Sequence, residues 1–365
     1  MKKIMVVFGT RPEAIKMCPL VKELTKRGKF KVVTAVTGQH REMLSLALRA
    51  FDVKPEYDLE IMREEQSLFD VTASSVLGLR RVLESESPDI VLVHGDTTTA
   101  FSAALSAFYL KIPIGHVEAG LRTGDIYSPF PEEFNRRCVG LLATYHFAPT
   151  DRARENLLCE GISESRVFVT GNTVVDAFKY TVRDGYSHEA LEKSKGKRIF
   201  LTCHRRESIE SKLENMLLGV ADVLRRFTDV SVIFPVHPNK RVGEIAKRSF
   251  AGVPRIILCE PFSVCDCHNI MSRCDVILTD SGGLQEEGVA LGKPTLVMRD
   301  VTERGEGIES GGAMLVGTTR DSVFSGLCKL LSDNELYSKM SNAKNPYGDG
   351  IASIRIADIL EKLLK

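Results

Sequence analysis

The stretch Ile4-Met5-Val6-Val7-Phe8-Gly9-Thr10-Arg11-Pro12-Glu13 is an apolar, β-branched run that breaks at a glycine and leads into a proline suited to the first turn of a helix. The same strand, turn and helix sequence recurs along the chain. Apolar runs at 31–36, 89–94, 114–117, 145–148 and 167–169 alternate with amphipathic stretches such as 13–26 and 67–84, the signature of βα units laid into a parallel sheet. The alternation restarts at 198–202 and continues at 230–234, 255–258, 275–279, 295–297 and 314–316. Two Rossmann-like, doubly wound α/β domains are therefore predicted. The polar, lysine-rich stretch Tyr186 to Lys197 separates them, giving domains over 1–185 and 186–350.

The chain has 365 residues, about twice the length of an ordinary single domain. With 43% hydrophobic and 27% charged residues it can build a large core, which excludes a disordered chain. Lys plus Arg number 49 against 48 for Asp plus Glu, so no broad field draws in nucleic acid or an anionic membrane, and neither is expected as a partner. Nine cysteines, odd in number and set mostly among apolar neighbours, read as reduced thiols of a cytoplasmic protein without a disulfide framework. The run Ile4 to Phe8 is too short for a signal peptide, and no later run approaches the length of a membrane span.

Ligands of open parallel sheets sit beyond the carboxyl ends of the strands, and here those positions are polar. After the first strand, Arg11 stands beside the free amides of a helix start, as a phosphate seat or as a solvated side chain on a capping turn; Lys16 reaches the same anion or faces water. After the run 275–279, Asp280-Ser281-Gly282-Gly283 opens a second helix, where consecutive glycines let backbone amides approach an anion and Ser281 caps the helix or donates to phosphate. Glu286 suits the helix dipole, whereas Glu287 can accept both hydroxyls of a ribose. Thr202-Cys203-His204-Arg205-Arg206-Glu207 adds a cationic cluster. Asp96 follows one strand of the first domain and Glu118 another; if those strands are neighbours, about 4.8 Å apart, their carboxylates converge on one substrate for acid/base work. Glu132 and Glu133 start a helix, as dipole partners or as further acids.

Absent signals narrow the chemistry. No G-x-G-x-x-G follows the first strand and no Y-x-x-x-K occurs, so sugar epimerases that oxidise and re-reduce with bound NAD fit poorly; there is no Walker A motif. Cys265-Asp266-Cys267-His268 lacks metal-site spacing and reads as core packing, and no metal or cofactor is expected.

Gly9 to Glu13, His94 to Thr99, His116 to Thr123, Ser128 to Glu133, His204 to Glu207, Asp280 to Glu287, Thr302-Glu303-Arg304 and Asn345 to Gly350 stand in the order and spacing of the non-hydrolysing UDP-N-acetylglucosamine 2-epimerases, which the chain resembles over nearly its whole length. The resemblance implies a glycosyltransferase-B-like pair of domains facing a cleft, with a final helix, about 351–365, packed back on the first domain, and usually a homodimer formed through that domain. It implies C2 epimerisation of UDP-N-acetylglucosamine by loss and return of UDP. Asp96, Glu118 and Glu132 then serve as acid/base or cation-stabilising carboxylates, and His204 assists departure of the diphosphate. Arg11, Lys16, Ser281, Gly282 and Gly283 become phosphate contacts, Glu287 the ribose contact, and Arg205 and Arg304 supporting ligands.

The chain also departs from its resemblance. Gly305 follows Arg304 where bacterial members often carry proline, which loosens the backbone presenting that arginine. Gln39, His40, Gln66 and His237 match a second, activating UDP-sugar pocket of the family, but Glu42 and Glu65 replace a glutamine and an arginine there. The rival expectations are a hydrolysing 2-epimerase releasing UDP and N-acetylmannosamine, a glycosyltransferase of the same fold, and a non-enzymatic sensor of nucleotide sugar.

Overall fold

Parallel ladders follow the β-branched runs. The computed structural model describes residues 1–38, 41–63, 66–203 and 212–365, with the backbone alone for Arg41 and Glu42. Strands β1 (Lys3–Phe8), β2 (Lys31–Val36), β3 (Tyr57–Asp58), β4 (Ile90–His94), β5 (Ile114–Val117), β6 (Tyr145–Ala148) and β7 (Val167–Val169) form one sheet, and β8 (Lys197–Thr202), β9 (Val230–Pro235), β10 (Ile256–Cys259), β11 (Val276–Thr279), β12 (Thr295–Val297) and β13 (Ala313–Leu315) a second. The orders are β3-β2-β1-β4-β5-β6-β7 and β10-β9-β8-β11-β12-β13. The two doubly wound α/β domains of the sequence expectation are present. Only β3 was not expected; at two residues it is too short to show alternation, and it joins the edge through Glu56 N to Thr34 O and Leu59 N to Val36 O, both 2.9 Å.

The helices of the first set are α1 (Arg11–Arg27), α2 (Arg41–Ala50), α3 (Leu68–Glu86), α4 (Thr98–Tyr109), α5 (Glu132–Leu142), α6 (Asp151–Cys159) and α7 (Thr173–Thr181). Those that follow are α8 (Glu189–Lys193), α9 (Leu213–Arg226), α10 (Lys240–Ser249), α11 (Val264–Arg273), α12 (Gly282–Ala290), α13 (Gly305–Glu309), α14 (Arg320–Ser332), α15 (Asn334–Ser341) and α16 (Ala352–Leu363). Their ends are chemically marked. Thr10 with Glu13 and Ser67 with Asp70 form capping boxes that open α1 and α3.

The chain divides into two compact units, residues 1–180 with 347–365, and residues 181–346. The first core is built around Val91, Val93, Ala103 and Leu79, and the second around Leu201, Phe234, Leu278 and Leu217. The division falls at Tyr180/Thr181, five residues before the expected one, because 181–183 is already tied to α11: Thr181 Oγ1 and His268 Nδ1 lie 2.7 Å apart, and Arg183 N donates to Asn269 Oδ1 at 2.9 Å. The lysine-rich stretch is not a free linker, since it contains α8 and enters β8. Helix α16 lies in the first unit against α1, where Arg27 reaches Asp358 at 2.6 Å and Asp176 accepts the amides of Ala352 (3.1 Å) and Ser353 (2.8 Å) at its amino end. No helix among the described residues is long and apolar enough to cross a membrane.

Both sheets reverse their strand order, between β1 and β4 in one and between β8 and β11 in the other. At such a reversal the connections on either side leave in opposite directions and open a crevice at the carboxyl ends of the strands. The loops there are Gly9 to Arg11 and Gly95 to Thr97 in the first unit. In the second, Cys203 begins one and Asp280 to Gly283 forms the other.

Candidate active site

Strands β4 and β5 are hydrogen-bonded neighbours, with His94 opposite Val117, so Asp96 and Glu118 leave adjacent strand ends. Arg136 on α5 grips Asp96 through Nη2 and through Nε at 3.1 Å, and Asn135 Nδ2 donates to the Asp96 carbonyl at 2.9 Å. The Asp96 side chain keeps 24% exposure while Arg136 is buried, so the carboxylate is fixed from below and open above. Of the pair beginning α5, Glu133 takes a structural role: fully buried, it binds Arg136 Nη1 (3.2 Å), Arg137 Nε (3.0 Å) and Thr123 N (3.1 Å). Glu132 stands half-buried at the helix start.

Glu118 has φ of 62°, a left-handed conformation that costs a residue with a β-carbon about 1–3 kcal/mol and that concentrates at functional sites. Its side chain is only 8% exposed, paired with Lys16 and accepting from Asn172 Nδ2 at 3.0 Å, with His94 Nε2 3.8 Å away. Lys16 therefore does not face water: it is buried on α1 and neutralises Glu118. Arg11 is half-buried at the first position of α1. Glu13 beneath it accepts from Gly9 N (3.0 Å), Thr10 N (2.8 Å), Thr10 Oγ1 (2.8 Å) and Thr97 Oγ1 (2.7 Å), locking the Arg11 loop to the Asp96 loop. Burial pushes its carboxyl up to about 7, against those hydrogen bonds.

Three buried histidines back this loop pair. His116 Nε2 donates to the Gly95 carbonyl at 2.8 Å, which fixes the tautomer. Burial lowers His94 and His146 to about 4 and His116 to about 3, the charges of Lys16, Arg122 and a neighbouring His adding to the effect. Because folded values lie below the unfolded value of about 6.5, their contribution to stability is complete above pH 6.5 and is lost as pH falls toward about 4 for His94 and His146 and toward about 3 for His116. Urea midpoints should fall across that window, and less steeply in His146→Phe; equal slopes would show that His146 titrates normally.

In the second unit Ser281 is the N-cap of α12, but its side chain makes no capping bond and so does not spend its hydroxyl on the helix. Asp280 is buried and accepts from Cys203 Sγ at 3.3 Å; Thr202 and Thr279 hydroxyls meet at 2.7 Å. These contacts lock the ends of β8 and β11 together. Glu286 serves Arg304 rather than the helix dipole, at 3.2 Å, and Glu303 takes Arg304 Nη1. Burial alone would raise the Glu303 carboxyl, but Arg304 and Arg299 hold it at about 2. The guanidinium of Arg304 lies where a β-carbon on Gly282 would sit 2.8 Å from its Cζ, so that glycine seats the arginine, while Gly283 is open on its β-carbon side. Gly305 simply begins α13, with Arg304 N bonded to Thr302 Oγ1 at 3.2 Å. Glu287 lies 3.3 Å from His268 Nε2.

His204 and Arg205, with Gln39, His40 and Glu65, lie outside the described residues, as does the Glu42 side chain. Gln66 uses its amide within its own turn, on Ile61 O (2.7 Å) and Arg63 N (2.9 Å). His237 is exposed on a groove of about 740 Å³ in the second unit that also takes in Asn239, Lys240, Cys259 and Phe262. Cys267 packs on Met271 Sδ at 3.7 Å, and among the described residues no cluster of His, Cys, Asp or Glu is arranged to hold a metal ion.

Two residues that organise the site carried no sequence signal, Arg136 and Asn172, which lie in helical and loop contexts where such residues are ordinary; a third, Glu13, showed only in the spacing of a capping acid. The capping box was the one available hint.

Twin doubly wound sheets with polar loops at both reversals define a ligand-binding α/β protein. A sequence model of the family described as UDP-N-acetylglucosamine 2-epimerase matches residues 22–361. The UDP-N-acetylglucosamine 2-epimerase of Bacillus subtilis (strain 168) is 51% identical over 359 residues, 98% of this chain and 94% of the relative. Among solved structures, an S. aureus protein determined with UDP has a TM-score of 0.95 at 49% identity, covering 100% of this chain and 97% of that one. The UDP-GlcNAc 2-epimerase of Neisseria meningitidis, determined bound to UDP-GlcNAc, has a TM-score of 0.93 at 42% identity, with 99% and 100% covered. This chain belongs to the UDP-N-acetylglucosamine 2-epimerase family.

Proposed function

We propose that the protein interconverts UDP-N-acetylglucosamine and UDP-N-acetylmannosamine without releasing free sugar. The observation that carries this reading is the pair of anchored carboxylates, Asp96 and Glu118, ending neighbouring strands at the first reversal. The hydrogen at C2 of an acetamido sugar has no adjacent carbonyl to acidify it, so departure of the leaving group must assist. As the bond from C1 to the UDP oxygen breaks, UDP takes its electron pair. Positive character at C1 acidifies C2, a carboxylate removes the proton, and the C1–C2 double bond of a glycal forms. Return of a proton to the opposite face at C2, with UDP adding back to C1, completes the inversion and leaves no net change in atoms or electrons.

Asp96, Glu118 and Glu132 are assigned to proton transfer and stabilisation of C1, and His204 to the departing diphosphate. Arg11, Lys16, Ser281, Gly282 and Gly283 are assigned to the phosphates, Glu287 to the ribose, and Arg205 and Arg304 serve as supporting ligands. Lys16 also donates to the Glu118 carboxylate, so its assigned phosphate contact lies beside that acid. Turnover in deuterated water followed by NMR tests the reading: deuterium at C2 of both epimers with no accumulating free sugar is expected. Intact C2 hydrogen rejects elimination, and accumulating N-acetylmannosamine points to the hydrolysing reaction.

We also propose a homodimer through the first unit. Helices α3, α4 and α5 pack side by side and leave Phe69, Leu77, Tyr109 and Leu141 exposed, with Phe69 at 87%, more apolar surface than a solitary helical face ordinarily shows water. Sedimentation should give twice the chain mass; a monomer at micromolar concentration removes the proposal.

A further inference from the structure

We propose that Asn172 is a positioning residue that holds the Glu118 carboxylate in place and in its ionised form. The inference rests on the reading of Glu118 as an acid/base group. Asn172 lies in the turn between β7 and α7, buried, and is fixed on three sides. Its backbone N donates to the Tyr347 carbonyl at 2.7 Å, its Oδ1 accepts from Val174 N at 3.0 Å, and its Nδ2 donates to Glu118 Oε2 at 3.0 Å.

That combination selects the side chain. An amide presents a donor on one branch and an acceptor on the other. Aspartate would keep the bond from Val174 N but set a second carboxylate against Glu118. Serine would keep a hydroxyl near Val174 N but fall short of Glu118. The link to Tyr347 anchors the turn where the chain re-enters the first unit, so the amide cannot follow Glu118 if that residue drifts. Glu118 needs such a clamp because its own backbone is held in the left-handed region, with no regular element to fix its side chain.

Among the described residues, the charged and titratable groups set against Glu118 include Lys16 from α1, His94 from β4 at 3.8 Å, and Asp96 from the loop after β4, which acts on the same histidine. Lys16 already neutralises the carboxylate, so the amide adds direction as well as stabilisation. Donation to a carboxylate favours its ionised form, so removing the donor moves its titration to higher pH, and placing a second carboxylate there moves it further.

The test is the pH profile of kcat/KM for Asn172→Ser and Asn172→Asp, beside Glu118→Gln. Asn172→Ser is expected to lower kcat about tenfold to a hundredfold with KM changed less than about threefold, the scale of one lost hydrogen bond to a charged group. Whichever limb of the profile Glu118 governs should move to higher pH in Asn172→Ser and further in Asn172→Asp. If Asn172→Asp does not fold, the serine variant decides, its fold checked by circular dichroism and thermal midpoint. A folded Asn172→Ser with unmoved limbs, whatever its kcat, overturns the proposal. Near-normal turnover in Glu118→Gln overturns the reading of Glu118 itself, whereas an inactive Glu118→Gln beside an unaltered Asn172→Ser overturns only the role of Asn172.

Discussion

Asp96→Asn is expected to lower kcat by about a thousandfold, the usual range for loss of an acid/base group, while UDP affinity stays within about threefold. The substitution is nearly isosteric. The asparagine carbonyl can still accept from Arg136, whose other branch keeps Glu133 at 3.2 Å, so the buried guanidinium is not left without an anion. The Asp96 main-chain carbonyl also keeps its bond to Asn135 Nδ2 at 2.9 Å. What disappears is the negative charge on the exposed side of the loop and the ability to take up a proton. Steady-state kinetics with calorimetric titration of UDP separate the two effects. Turnover within about tenfold of the parent would remove Asp96 from the chemistry.

Gly120→Ala is expected to be the most damaging single methyl group in the first unit, lowering stability by about 3 kcal/mol or more. Gly120 has φ of 91° and would place a β-carbon 2.1 Å from the Ala153 carbonyl oxygen on α6. Neither cause can relax cheaply. The conformation disfavours any L side chain, and the opposing atom is helix backbone whose amide end Thr150 caps through Ala153 N at 3.1 Å. Asn156 Nδ2 also donates to the Gly120 carbonyl at 2.9 Å, so displacing the turn would break a further bond. Because Glu118 lies two residues earlier, surviving folded protein should also lose turnover. A urea midpoint within the error of the parent would show that α6 gives way instead. Circular dichroism at low urea would distinguish local displacement from global loss.

The twelve expected strands lie within about one residue of their positions in the sheets because β-branched runs between glycines and prolines are a local property of the chain. The loops that carry Arg11, Asp96, Glu118 and Ser281 were legible for the same reason, since polar residues follow directly on apolar runs. The expectation for Asp96 and Glu118 turned on one further fact, whether their strands are neighbours, and the strand order sets β4 beside β5.

What tertiary structure alone decided is which charge each residue meets. Lys16 and Glu118 are 102 positions apart, Asn172 and Glu118 54 apart, and Arg136 and Asp96 40 apart. No local pattern relates such pairs, because each joins the end of a strand to a residue of another helix or loop that the crossovers bring beside it. Glu286 shows the same limit: on its own helix it reads as a dipole partner, and only the approach of Arg304 makes it an anchor for a cation, whereas Glu133 meets Arg136 and Arg137 at the local spacings of three and four within α5. Local sequence set the elements and the polar character of their ends, whereas ion pairing depends on distance in space, which folding imposes.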